Sequence, residues 1–314
     1  MRYAFVGLGH LGANLAGCLL RAGFELVVND SDSDAAQPLL ALGAKWAGSP
    51  MEAAERVDAV ITCLPSPKAS ESVLTGPNGI LAGLHEGGTW IEMSTLDRDT
   101  ILRLAHLAAA KKIATLEAPV TGGVHLAAIG QVTVLAGGDS QLFATHEPAL
   151  KAMGRLLLHM GPLGSAAVMK VITNMLAFIH LVADGEALML AKRGGLDLAQ
   201  AFQAIKYSSG NSFVHETEGQ LILNGSYDIG FTMDLACKDL GFASALGREY
   251  GVPLDLAGAT TQTFIRGKEA YGGSAWSTMI VKLLEDALHT DLRANGFPAK
   301  LQAERSVSRR ATDI

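Results

Sequence analysis

The chain is 314 residues long, more than one hydrophobic core usually organises, so two domains are expected. Hydrophobic residues make up 49% and charged residues 18%, a balance that excludes extensive disorder. The formal net charge of -6 supplies no bulk attraction toward nucleic acid or an anionic membrane surface.

Tyr3-Ala4-Phe5-Val6 is a short apolar run that stops at Gly7, as a buried parallel strand would. Gly7-Leu8-Gly9-His10-Leu11-Gly12 follows, then a helical stretch from Ala13 to Ala22 that ends at Gly23. Glu25 to Asn29 is a second strand, closed by Asp30. Beyond it, helices are expected over 34–42, 51–56, 97–111 and 141–152, and strands over 58–63, 89–93, 115–117, 131–136 and 156–159. Strand and helix alternating at this spacing imply βαβ units and a mostly parallel sheet. From about Gly164 the strands stop. One long helix to about Arg193 follows, then shorter helical patterns broken at Gly194-Gly195, Asn224-Gly225, Gly251-Val252-Pro253 and Gly272-Gly273. The fold expected is therefore α/β: an N-terminal Rossmann domain over residues 1–162, then an all-α domain over 163–314 led by a long interdomain helix.

The stretch Ala166 to Ala191 is apolar enough to be weighed as a membrane span. It carries Lys170, Asn174, His180, Asp184 and Glu186, each costly in lipid, so it reads as a buried helix and no membrane partner is expected. Cys18, Cys63 and Cys237 are widely spaced and form no CxxC, which fits a reducing, cytoplasmic setting. The chain enters its first strand directly, without the basic, apolar and cleavage regions of a secretory leader. The last fifteen residues mix Lys300, Arg305, Arg309 and Arg310 with acidic groups and read as a solvated tail.

The glycine pattern gains weight from its place, directly after a strand and opening a helix. Gly7 permits the tight turn, Gly9 lets backbone approach a pyrophosphate, and Gly12 lets helix and strand pack closely. His10 and Leu11 belong to this candidate cofactor loop by position. Asp30 ends the second strand, where an acid accepts hydrogen bonds from ribose hydroxyls. No Lys or Arg occurs between it and Lys45, so NAD is expected over NADP. The nine histidines show no HxxxH or HxH spacing, and no metal is expected. Gly-x-Ser-x-Gly is missing, which leaves a hydrolase nucleophile elbow unsupported. His10 and His125 are each within reach of a ligand but read as solvent-facing loop residues.

Three later segments carry a specific resemblance. Ala118-Pro119-Val120-Thr121-Gly122-Gly123 resembles the substrate-binding segment of the β-hydroxyacid dehydrogenase family, which includes 3-hydroxyisobutyrate dehydrogenase and tartronate semialdehyde reductase. The stretch from Gly161 to Asn174 resembles its catalytic segment, with Lys170 and Asn174 one helical turn apart. Lys238-Asp239-Leu240 resembles its cofactor-side motif. With the opening glycine loop, Leu64-Pro65 and Ser94-Thr95, the resemblance spans nearly the whole chain. Glu117 and Thr121 depart from the aspartate and serine common at these positions, and the extra methyl of Thr121 should narrow the pocket.

The resemblance implies a nicotinamide-dependent dehydrogenase acting on a small β-hydroxy acid, with Lys170 as proton-transfer group and Asn174 orienting lysine or substrate. The physics agrees, because residues four apart share a helix face and burial makes a lysine a better base near neutrality. Thr121, Gly122 and Gly123 would cradle the substrate carboxylate. Gly7, Gly9, His10, Leu11, Gly12, Asp30, Leu64, Pro65, Thr95 and Lys238 would line the cofactor. Ser209-Gly210-Asn211-Ser212 and Phe231 resemble pocket-lining segments. A homodimer or homotetramer built through the helical domain is also implied. Competing readings are reduction of another aldehyde or an imine, a decarboxylating sugar-acid dehydrogenase, and a non-catalytic NAD-binding sensor or scaffold. Imine reductases resembling this fold usually lack lysine at the position of Lys170. The decarboxylating enzyme would want a basic phosphate cluster, which is not seen.

Overall fold

A computed structural model describes residues 1–301, so Arg305, Arg309 and Arg310 of the basic tail lie outside the described residues. Six short parallel strands form the main sheet: β1 (Tyr3–Val6), β2 (Leu26–Asn29), β3 (Lys45–Trp46), β4 (Ala59–Thr62), β5 (Thr89–Glu92) and β6 (Ala114–Glu117). Their spatial order is β3-β2-β1-β4-β5-β6, so the winding reverses between β1 and β4. In sheets wound this way, ligands bind beyond the carboxyl ends of the strands at such a reversal. β1, β4 and β5 are buried throughout, as a sheet covered on both faces requires.

The covering helices of this half are α1 (Gly12–Arg21), α2 (Gln37–Leu40), α3 (Pro50–Ala54), α4 (Pro67–Thr75), α5 (Ile80–Gly83), α6 (Arg98–Ala110), α7 (Gly123–Ala127) and α8 (Ser140–Met153). Caps explain several boundaries. The side chains of Ser49, Ser66, Asp97 and Asp139 each accept a first-turn N–H, satisfying donors a helix start leaves open. The helix expected over 34–42 breaks into a 3-10 turn (Ser33–Ala36) and the short α2, because Pro38 is tolerated only at a helix start.

The strands at 131–136 and 156–159 do not join the main sheet, contrary to expectation. β7 (Val120–Thr121), β8 (Val132–Ala136) and β9 (Gly154–His159) form a separate three-stranded sheet, with β7 antiparallel and β9 parallel to β8. One bridge, between Glu117 and Gly137, ties it to β6.

The second half is helical: α9 (Ser165–Arg193), α10 (Leu198–Lys206), α11 (Phe213–Asn224), α12 (Met233–Tyr250), α13 (Asp255–Tyr271) and α14 (Lys282–Leu288). Its core holds Phe178, Leu181, Leu188, Phe202, Ile222, Leu240 and Phe264. Buried polar groups pair across it. His215 bonds Asp184 at 2.6 Å and the Phe202 carbonyl at 2.9 Å, linking α9, α10 and α11.

α9 is long and apolar enough to cross a membrane, yet only one of its faces is buried. Ala167, Lys170, Asn174, Phe178, Leu181 and Leu188 lie inward, whereas Ile172, Leu176 and Leu190 are exposed. The expectation of a buried helix therefore holds for the inner face alone.

Candidate active site

The glycine turn takes the form its sequence calls for. Gly7 has φ of 99°, in the left-handed region, and a Cβ there would overlap the Cys63 carbonyl oxygen. A Cβ on Gly12 would overlap the Gly7 carbonyl oxygen, so the start of α1 sits directly on the turn. Around Gly9 the space is open: a Cβ there meets no atom within 4 Å. Among the described residues the N–H groups of Gly9 to Gly12 donate to no acceptor, leaving a cluster of donors at the positive end of α1. This concave, donor-lined turn suits a pyrophosphate.

Asp30 follows β2 and faces the same turn. Its carboxylate accepts from Leu8 N–H at 2.5 Å and from Asp32 N–H at 2.9 Å. A carboxylate has about four lone-pair sites, so capacity for a ribose hydroxyl remains. His10 is exposed, as expected, but its ring lies edge-on to Trp276 of the helical domain, with centroids 5.9 Å apart.

Across the winding reversal, Leu64-Pro65 leaves β4 and Ser94-Thr95 leaves β5. Leu64 N–H donates to Ser94 Oγ at 2.7 Å, and Ser94 N–H donates to the buried Glu92 carboxylate at 2.7 Å, so the two loops are braced together. Lys238 of α12 reaches over from the other domain and donates to the Thr95 carbonyl at 3.0 Å.

Beneath Lys238 lies a buried polar chain. Lys170 Nζ donates to Asn174 Oδ1 at 2.7 Å, and Asn174 Nδ2 donates to Asp239 Oδ2 at 2.6 Å. Asp239 also pairs with Lys238 at 2.9 Å. The bond from Asp239 fixes the Asn174 amide with its oxygen toward the lysine, because the reverse orientation would set two donors against each other. Lys170 is 8% exposed, and burial pulls its amine down from 10.5 to about 8, with Asp239 opposing. Such an amine exchanges a proton near neutral pH.

Thr121, Gly122 and Gly123 close the other side, where β7 packs against α9. Gly122 and Gly123 have φ of 124° and 83°, and their N–H groups find no acceptor among the described residues. His125 does not face solvent as expected. Its ring is half-buried, stacks on Phe213 from α11 with centroids 6.4 Å apart, and folds over Gly123. Burial lowers its pKa and keeps the imidazole neutral. Ser212 caps α11, and Phe231 packs on Phe178 in the helical core. No group of three or more His, Cys, Asp or Glu among the described residues is placed to hold a metal ion.

Comparison with known proteins decides the family. Residues 2–161 match the model of the NAD binding domain of 6-phosphogluconate dehydrogenase. Residues 164–284 match that described as NAD-binding of NADP-dependent 3-hydroxyisobutyrate dehydrogenase. The 2-(hydroxymethyl)glutarate dehydrogenase of Eubacterium barkeri is 31% identical over 91% of this chain and 95% of its own length. The 3-hydroxyisobutyrate dehydrogenase of Pseudomonas aeruginosa is 36% identical over 77% of this chain and 84% of its own.

The chain belongs to the β-hydroxyacid dehydrogenase family.

A solved 3-hydroxyisobutyrate dehydrogenase from Salmonella typhimurium shares the fold with a TM-score of 0.84 at 29% identity, covering 90% of this chain and 99% of that one. As a member of this family, the chain is an NAD(P)-dependent oxidoreductase of the hydroxyacid dehydrogenase type. Two site residues carry more than their sequence suggested. Asp239, named in the sequence as part of the Lys238-Asp239-Leu240 motif, also orients Asn174, and the spacing of 238–239 on one helix gives no sign of it. Glu117, noted only as a departure, is buried at the start of α9.

Proposed function

We propose that this protein oxidises a small β-hydroxy acid with NAD, and runs the reverse reduction, using Lys170 as general base and acid. The observation that carries the reading is the buried Lys170–Asn174–Asp239 chain, set where α9 and α12 meet the loops leaving the sheet. The cofactor, when bound, would supply the hydride acceptor for oxidation and the hydride donor for reduction. The neutral Lys170 amine takes the hydroxyl proton as the C=O bond forms, and Lys170 as ammonium returns it in reduction. Asn174 holds that amine in place. Thr121, Gly122 and Gly123 supply a hydroxyl and two N–H groups for the substrate carboxylate. Gly7 to Gly12, Asp30, Leu64, Pro65, Thr95 and Lys238 hold the cofactor. In this reading residues 1–162 bind the dinucleotide and 163–314 complete the substrate site.

Asp30 supports NAD over NADP, since a 2′-phosphate would meet a carboxylate with no basic group before Lys45. The test is a panel of 3-hydroxy acids (3-hydroxyisobutyrate, glycerate, serine, 3-hydroxypropionate) and 4-hydroxybutyrate with each cofactor. Turnover of at least one acid is expected, with kcat/KM favouring NAD by about 100-fold, and Asp30→Ser should erase most of that preference. Equal use of both cofactors by the unaltered protein would remove the role given to Asp30. Silence across the panel despite NAD binding would remove the hydroxy-acid reading.

The exposed apolar face of α9, where Ile172, Leu176 and Leu190 are 40%, 47% and 76% exposed, supports a homodimer or homotetramer. Light scattering on a sizing column should give two or four times the 32.8 kDa of one chain. Leu176→Glu with Leu190→Glu should shift that mass down, and an unaltered protein that runs as a monomer would refute the assignment. Three unpaired cysteines and the lack of any charge attraction to membrane or nucleic acid support a cytoplasmic enzyme whose ligands are small molecules.

A further inference from the structure

We infer that Glu117 is a positioning residue, which sets Lys170 against the sheet by holding the first turn of α9. This rests on the catalytic reading of Lys170. Glu117 ends β6 and is 1% exposed. Its Oε1 accepts from Gly164 N–H at 2.6 Å and Ala166 N–H at 2.9 Å, and Oε2 accepts from Ala167 N–H at 3.0 Å. One carboxylate thus satisfies three of the donors that the helix start leaves open, at its positive end. Lys170 lies one turn further on, four residues from Ala166 and on the same face.

The geometry gives this contact a function beyond capping. The hydrogen bonds of Lys170 and Asn174 run within α9 and to α12, all inside the helical domain. They do not by themselves tie α9 to the sheet; α12 is tied to the β5 loop by Lys238, which donates to the Thr95 carbonyl. Glu117 ties α9 directly to β6. It stands in register beside Glu92 of β5, whose carboxylate braces the Ser94 and Leu64 loops. Two adjacent buried carboxylates at the end of the sheet therefore hold the two halves of the site, one the cofactor loops and the other the helix carrying the base. The fit is specific to the longer acid: a Cβ on Gly137 would overlap Glu117 Oε1, so the side chain occupies room that Gly137 leaves open.

The base must lie within hydrogen-bond reach of the alcohol whose hydride leaves, so a displacement of about 1 Å at the base costs about 100-fold in rate. In Glu117→Gln the carboxamide NH2 replaces an acceptor with a donor facing N–H groups, and the first turn loosens. The expected result is kcat lowered about 10–100-fold with NAD affinity and KM within about threefold of the original. Water reaching Lys170 should also relieve its burial. The groups facing that amine are Asn174 on its own helix, Asp239 and Lys238 on α12, and Cys63 on the loop after β4, all retained in the variant. The alkaline rise in oxidation rate, centred near 8 in the unaltered protein, should therefore move up toward 10.5. Glu117→Asp keeps the charge with less reach and should fall between.

Acetylation of Lys170 by acetic anhydride against pH, read by peptide mass spectrometry, follows the same titration without turnover. Loss of activity in Lys170→Ala alongside full kcat, an unmoved pH limb and only a lowered melting temperature in Glu117→Gln would overturn the positioning role and leave the catalytic reading intact. Full activity in Lys170→Ala would overturn both. If no substrate turns over, an unmoved acetylation midpoint in Glu117→Gln overturns the inference. Should Glu117→Gln not fold, Glu117→Asp carries the same comparisons: lowered kcat with the limb moved up supports the role, and full kcat with reduced stability ends it.

Discussion

Lys170→Ala is expected to lower kcat for hydroxy-acid oxidation by about 10³–10⁴-fold, at the upper end of what general-base catalysis contributes. NAD affinity should stay within about twofold, because the glycine turn and Asp30 lie on other elements and the amine contacts neither. The pH dependence supplies a second, sharper readout. Burial lowers the Lys170 amine from 10.5 to about 8, so at pH 7 it is mostly protonated and only a minor fraction can act as base. Oxidation should rise with pH and level off above about 8, while reduction, which needs the ammonium, should fall over the same range. Both limbs should vanish in Lys170→Ala. The depression also carries a stability cost of roughly 3 kcal/mol at low pH. The unfolded chain holds this proton up to 10.5 and the folded one loses it near 8, so the cost is full below 8 and relieved as pH rises to 10.5. Natural proteins keep such unfavourable burial at working sites. Activity and pH limbs in Lys170→Ala indistinguishable from the original would assign the proton transfer elsewhere.

Elements set by local pattern were legible in the chain. Tyr3–Val6, the glycine turn and α1 announce themselves through an apolar run, three glycines and amphipathic spacing within about twenty residues. α9 was legible from length and hydropathy, although sequence could not show that Ile172, Leu176 and Leu190 stay uncovered. α4 was passed over even though Ser66-Pro67 marks a helix start, because the helix is short and buries only Ser70 and Leu74. The separate sheet of β7, β8 and β9 could not be foreseen, since strand pairing is decided by partners distant in sequence. The same limit applies to the site. Lys170 and Asn174 share a helix and were marked by the family resemblance, with which their spacing agrees, whereas their link to Asp239 crosses 65 positions. His125 was read as exposed because it follows two glycines; Phe213, far along the chain, is what covers it. Glu92 and Glu117 look like ordinary strand-end acids until the helix and loops they bond are in place.

Gly12→Ala should weaken NAD binding by about 100-fold and lower the melting temperature by several degrees, and the two effects share one cause. Gly12 opens α1 with ordinary helical φ, so alanine is conformationally allowed there and by propensity alone would stabilise by about 1 kcal/mol. Sterics oppose it. The new Cβ would overlap the Gly7 carbonyl oxygen and come within 3.2 Å of Phe5 Cε1, a side chain of the main core. Gly7 cannot yield, because its own φ of 99° and its contact with the Cys63 carbonyl lock the turn. Overpacking against backbone costs about 1–3 kcal/mol, which outweighs the propensity gain and is worth about 2–4 °C per kcal/mol in a chain of this size. α1 must then move off β1, and the N–H groups of Gly9 to Gly12 lose their common aim. Gly9→Ala separates the two effects. Its Cβ meets no protein atom, so stability should hold, yet the methyl projects into the space a pyrophosphate would fill, and affinity should fall. Calorimetric titration with NAD beside thermal melts distinguishes them. Gly9→Ala binding NAD as tightly as the original protein would show that the dinucleotide does not cross this turn.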